Sequence, residues 1–143
     1  MKNRGVALKA RRIERWEGSL KQDALSSQSM DFAVAVFTLV SQLRQDREYI
    51  VSSQLGRSGT SIGANIREAQ FAQSKADFVS KLQIALKEAH ETRYWLELLL
   101  RAGSLDSEQY KKLDDSCASL VSMLVSSIKT AKQNSNPSPK GTP

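Results

Sequence analysis

Apolar residues recur through the middle of the chain in steps of three and four, the spacing that gathers side chains on one face of an α-helix. The clearest run is Phe78, Leu82, Ala85, Ala89, Thr92, Leu96 and Leu99. Ser74 followed by Asp77 resembles a capping box at its start, and Gly103 supplies a stop. Asp106 and Gln109 mark the next N-terminus, after which Leu113, Cys117, Leu120, Leu124 and Ile128 continue the rhythm. Earlier, Phe32, Val36, Leu39, Val40 and Leu43 predict a helix that starts near Ser29 as its N-cap. Ile50, Leu55, Ile62 and Ile66 predict another over 47–69. Gly56, Gly59 and Gly63 fall inside it at about 1 kcal/mol each relative to alanine, so a bend held by tertiary contacts is expected there.

Four amphipathic helices with short links predict an all-α protein, an antiparallel up-and-down four-helix bundle over residues 22–131. The flanks differ from it in kind. Residues 1–21 form a basic arm in which Leu8, Ile13, Trp16 and Leu20 permit an amphipathic helix without requiring one. Residues 132–143 end in NSNPSPKGTP, a composition that predicts a disordered tail.

Composition narrows the function classes. The 143 residues suit one domain, and three prolines with seven glycines disfavour a many-turned β-sandwich or barrel. The single cysteine, Cys117, excludes an internal disulfide or a cysteine-rich metal site and fits a reducing, cytoplasmic setting. No uninterrupted apolar run of about 18 residues occurs, so neither a membrane span nor a secretory signal is expected.

Net charge is +6, but it is unevenly placed. Residues 1–21 carry seven basic residues against two acidic ones, residues 129–143 add three lysines, and the stretch between them is slightly acidic. Such basic ends suit counterion-releasing contacts with phosphates. The candidate nucleic-acid contacts are Lys9, Arg11, Arg12 and Arg15 of the arm, with Arg57 and Arg67 of the second helix. A merely solubilising pair of tails is the plainer alternative.

Catalytic chemistry finds no support. Gly59 to Gly63 fits the G-x-S-x-G pattern, but a nucleophile elbow needs a strand-to-helix turn that is not predicted here. His90 and Glu91 begin an H-E-x-x pattern whose second histidine position is Tyr94, and no Gly-Lys-Ser/Thr ending makes a phosphate loop. The reading is therefore non-enzymatic, with no metal and no cofactor. Cys117 is expected to be a buried structural thiol and His90 a solvated or hydrogen-bonded residue rather than a catalyst.

Two other groups stand out. Arg57, Asn65, Arg67 and Glu68 on the second helix, with Glu88, Glu91 and Arg93 on the third, predict polar bridges between or along these helices. Exposed intrahelical pairs, Lys87 with Glu91 and Arg93 with Glu97, are the alternative. Ile84, Trp95 and Leu98 fall on a sector roughly opposite Phe78, Leu82 and Leu96, a candidate oligomer interface anchored by tryptophan unless Trp16 of the arm covers it.

SMDFAVAVFTLVSQL at 29–43, QLGRSGTSIGANIREAQFAQSKADF at 54–78 and KLQIALKEAHETRYWLELLL at 81–100 resemble the four-helix-bundle proteins encoded by intervening sequences of bacterial 23S ribosomal RNA genes. That family is similar in turn to the accessory variability proteins of diversity-generating retroelements, pentameric barrels that bind RNA and a reverse transcriptase. The resemblance covers about residues 25–131. It implies a ring-like homopentamer that binds nucleic acid, RNA first, as an accessory to a reverse transcriptase or to a ribosomal RNA intervening sequence. The shared pattern takes in Arg57, Ser61, Asn65 and Glu68 on the second helix, and Glu88, Glu91, Tyr94 and Trp95 on the third. Arg67 departs from it where relatives carry alanine, and the basic arm lies outside it. A scaffold that binds a protein partner without touching nucleic acid is the alternative function.

Overall fold

The computed structural model describes residues 19–134, with side chains from residue 24, and four helices make up almost all of this span. They are α1 (Ser19–Gln45), α2 (Ile50–Gln70), α3 (Lys75–Arg101) and α4 (Ser107–Gln133). No strand occurs among the described residues.

Local chemistry sets most of the boundaries. Ser74 Oγ accepts the Asp77 N–H at 3.1 Å, while the Asp77 carboxylate accepts the Gln73 N–H at 3.3 Å. This is a capping box shifted by one position, because aspartate is shorter than the usual glutamate. The Asp106 carboxylate accepts the Gln109 N–H at 2.8 Å and opens α4. Between these helices Gly103 takes a φ of 79°, which glycine adopts without strain. At the first link, the Glu48 carboxylate accepts the N–H groups of Val51 at 3.1 Å and Ser52 at 2.8 Å. The start of α2 is therefore capped by Glu48 rather than lying at Arg47.

Cross-helix contacts fix the antiparallel register. From one end of the α1–α2 seam to the other, Gln70 Nε2 donates to Ser26 Oγ at 2.5 Å, Gly59 faces Val36, Gly56 faces Val40, and Arg44 Nη2 reaches Ser53 Oγ at 3.5 Å. Residue numbers rise on α1 as they fall on α2. Thr92 with Ser58 ties α3 to α2, Arg93 with Asp114 ties α4 to α3, and Ser119 with Gln28 at 3.5 Å closes α4 on α1. Leu25, Phe32, Val36 and Leu43 of α1 meet Leu55, Ile62 and Ile66 of α2, Phe78, Leu82, Leu96 and Leu99 of α3, and Leu120 and Leu124 of α4 in one buried core.

Three sequence expectations need correction. First, α1 begins at Ser19, well before Ser29. Ser29 is no cap: it is 1% exposed, and its hydroxyl donates to the Ser26 carbonyl at 3.2 Å, a bond made inside a helix. Second, α2 runs unbroken through its three glycines. A Cβ at Gly59 would stand 2.8 Å from Val36 Cγ1, so the missing side chain is space that α1 occupies. Third, Ile50 is 81% exposed, because the core face of α2 follows Val51, Leu55, Ile62 and Ile66.

The stretch Ala24–Gln45 of α1 is also long and apolar enough to meet the length and composition test for a bilayer span. Interspersed Ser, Thr and Gln hide this from a search for uninterrupted apolar runs. In the bundle those apolar residues divide between two faces: Leu25, Phe32, Val36, Leu39 and Leu43 are buried, whereas Met30, Val34 and Phe37 are exposed.

Candidate nucleic-acid interface

Antiparallel topology brings together the charges that the sequence holds apart. The start of α1, the end of α2, the start of α3 and the end of α4 share one end of the bundle. Among described side chains this end carries Arg67, Lys75, Lys81, Lys129 and Lys132 against Glu68 and Asp77. The opposite end carries Arg44, Arg47, Arg93, Arg101, Lys111 and Lys112 against Asp46, Glu48, Glu97, Asp106, Glu108, Asp114 and Asp115. One end is a concentration of positive charge and the other is balanced. The basic residues 1–18 and the tail with Lys140 are covalently attached to the positive end.

Both described carboxylates at the positive end are engaged. Glu68 pairs with Lys81 at 3.0 Å, a hydrogen bond that holds the Lys81 ammonium above its ordinary range. Asp77 is occupied by the Gln73 N–H. Arg67 and Lys75 form no ion pair with a described residue, which leaves two cations on adjoining helices. Arg67 stands at the rim of a groove of about 360 Å³ between α1 and α2, lined by Met30, Ala33, Thr60, Gly63 and Ala64.

Arg57 is placed differently. Its guanidinium meets Glu88 Oε2 at 3.0 Å and Glu91 Oε2 beside it, so two carboxylates of α3 balance its charge. The Trp95 indole N–H donates to the same Glu91 oxygen at 3.3 Å, and Tyr94 stacks edge-on against Trp95 with ring centroids 5.0 Å apart. Beneath this cluster the buried Thr92 hydroxyl lies 2.9 Å from Ser58 Oγ. Of the predicted network, then, Arg57, Glu88 and Glu91 meet across α2 and α3, and Glu68 crosses to α3 through Lys81. Ser61 and Asn65 stay within α2: the Ser61 hydroxyl donates to the Arg57 carbonyl at 2.6 Å, and Asn65 Nδ2 donates to the Ser61 carbonyl at 2.8 Å.

The alternative intrahelical pairs are replaced. Glu91 turns to Arg57, Arg93 crosses to Asp114 in a two-pronged contact at 2.8 and 3.2 Å, and Glu97 pairs with Arg101 at 2.9 Å. A planar guanidinium gains more from two-pronged recognition than from a single exposed i,i+4 contact.

Trp95 and Leu98 are half-buried against the bundle's own core, whereas Ile84 is 39% exposed. The broader exposed apolar stripe lies on α1, where Met30, Val34 and Phe37 are 47%, 58% and 69% exposed at helical spacing. Sequence reasoning passed over it because the same helix supplies a full core stripe. Lys9, Arg11, Arg12, Arg15 and Trp16 lie outside the described residues.

Motifs with catalytic overtones sit in helices. Gly59, Ser61 and Gly63 lie within α2, His90 is exposed on α3, and no cluster of metal-ligating side chains occurs among the described residues. Cys117 is buried; its thiol donates to the Ala89 carbonyl at 3.4 Å, and burial pushes its pKa up to about 12.

The chain matches a known family and solved structures. The family model described as 23S rRNA-intervening sequence protein matches residues 21–126. A crystal structure from Bacteroides thetaiotaomicron, described as a protein with unknown function from the S23 ribosomal protein family, is 48% identical and superposes with a TM-score of 0.75, covering 76% of this chain and 98% of that one. No curated protein matches.

Proposed function

Because the chain belongs to the 23S rRNA-intervening sequence protein family, we propose that it is a non-enzymatic nucleic-acid-binding bundle that holds RNA phosphates at its positive end. The observation that carries this reading is the grouping of Arg67, Lys75, Lys129 and Lys132 at the end of the bundle where α1 begins and α4 ends, while the charges of the described residues at the other end balance. Lys and Arg so grouped release condensed counterions when they meet phosphates, and affinity then falls steeply with salt. Arg57, already held by two carboxylates, serves the α2–α3 seam instead.

A salt series of binding to a structured RNA, with a matched DNA duplex alongside, tests the proposal. Tight RNA binding with a steep negative slope of log affinity against log salt is expected. Changing Lys9, Arg11, Arg12 and Arg15 to glutamine should flatten that slope by roughly 0.7 to 0.9 for each phosphate that is no longer neutralised. Negligible binding to both nucleic acids at low salt would reject it.

The α1 stripe favours a second reading, a scaffold that meets a protein partner or further copies of itself through Met30, Val34 and Phe37. Phe37→Glu should then lower the mass measured by light scattering or abolish partner capture, while Trp95→Ala probes the α3 face separately. Unchanged mass and partners in both variants would remove this reading.

A further inference from the structure

The outward side of the α1–α2 seam is an uncharged strip between two cations. Met30, Val34 and Phe37 of α1 are exposed along it, and Met30 also lines the groove of about 360 Å³ that holds Ala33, Gly63 and Ala64. Stripe and groove are therefore one surface. Arg67 stands at one end of it, lining the groove. Arg44 stands at the other: it follows Met30 and Phe37 at steps of seven, and its Nη2 lies 3.5 Å from Ser53 Oγ across the seam. Neither cation forms an ion pair with a described residue. No carboxylate lines the groove. Asp31, the only acidic residue of α1 between 24 and 45, lies about 100° round the helix from Met30 on the side away from α2.

Gln70 opposite Ser26 and Gly63 against Ser29 set Arg67 level with residues 26–29 of α1, so Arg44 lies about 16 residues further on, roughly 24 Å along the helix axis. A helix of a little over four turns spans that distance. An amphipathic helix lays apolar side chains at i, i+3 or i+4, and i+7 into a groove of this kind, and the cation at each end of the strip suits a carboxylate. The same cations disfavour a second copy. Paired antiparallel through this face, each copy would bring its Arg44 beside the other's Arg67; paired parallel, each cation would meet its equivalent, and like charges across an interface repel. For a head-to-tail contact, no second stripe of three large apolar side chains is exposed among the described residues. We infer that the α1–α2 face docks an amphipathic helix of a different protein, with carboxylates near both its ends and an apolar stripe between them. This inference rests on the scaffold reading above and adds to it the chemistry of the partner.

The test uses the full chain and three fluorescently labelled, alanine-based peptides of about 18 residues, which share one leucine stripe and carry glutamate, glutamine or lysine at both ends. The glutamate peptide should bind about tenfold more tightly than the lysine peptide, with the glutamine peptide between them. Phe37→Glu should abolish binding and Val34→Ser should weaken it about tenfold, with unchanged circular dichroism because both side chains are exposed. Arg44→Gln and Arg67→Gln should each weaken the glutamate peptide about threefold and leave the glutamine peptide unaffected. Equal binding of all three peptides would overturn the inference and leave the scaffold reading standing. A light-scattering mass of several chains that falls to one chain in Phe37→Glu, with no peptide bound, would give the face to a second copy and again overturn the inference alone. Single-stranded RNA that binds the native chain but not Phe37→Glu, with no peptide bound, would give the face to RNA. If no peptide binds and Phe37→Glu leaves the mass unchanged, the inference and the scaffold reading fall together.

Discussion

Two seams of the bundle are held by different means. Between α1 and α2 the approach is steric: Gly59 leaves room for Val36, Gly63 sits against Ser29, and α1 makes no ion pair among the described side chains. Between α3 and α4 a guanidinium spans the surface, Arg93 to Asp114, above a thiol that donates to the facing helix's Ala89 carbonyl. The first seam is defined by what cannot be added to it. The second is defined by what must not be taken away. A close-packed contact has no slack for extra atoms, whereas a polar one suffers most when one partner is left alone.

The largest expected effect lies in the shared core and calibrates both seams. Leu96→Ala, at a fully buried position, should cost about 3 kcal/mol in urea unfolding. Gly59→Ala comes next. Its Cβ would press on both Val36 methyls at 2.8 and 2.9 Å; overpacking should exceed the roughly 1 kcal/mol of helix propensity gained and leave a net loss of about 1 kcal/mol. A stabilised Gly59→Ala would break the comparison, because it would show that α1 can retreat. Asp114→Ala should cost about 1 kcal/mol, less in high salt, since the pair is only partly buried. The smallest effect has the opposite sign. At Gly56 the added Cβ would stand 3.6 Å from Val40, an ordinary contact, so Gly56→Ala should stabilise by about 0.5 kcal/mol and raise the melting temperature. Opposite signs at Gly56 and Gly59, three residues apart on one helix, would locate the steric lock within a single turn.

The α3–α4 half was the more legible in the sequence. Every predicted seam position of α3 from Phe78 to Leu99 is buried, because the repeat there is long and uninterrupted. The α1–α2 half misleads a reader of sequence for a physical reason: glycines that look like helix breakers are contact points whose partner, Val36, lies more than twenty residues away. Ser29 likewise imitates a cap because its role depends on Gly63. The candidate interface was legible only in part. Basic termini are plain in the sequence, but that α1 begins and α4 ends at the same end of the bundle as Arg67 and Lys75 follows only from the antiparallel fold. Arg93 was assigned too locally, since its carboxylate partner, Asp114, stands on the next helix, whereas the bridge from Arg57 to Glu88 and Glu91 follows the sequence expectation.

The closing seam between α4 and α1, marked by Ser119 and Gln28, joins the helices farthest apart in the chain. During synthesis α1 emerges first but waits for α4, an interval of roughly 4 to 18 s at ordinary elongation rates. The waiting segment is the one apolar enough to suit a bilayer. For that interval the side of α1 that α4 will cover and the Met30–Phe37 stripe both stay exposed, and a codon-level pause after α3 would lengthen the exposure without altering a single residue.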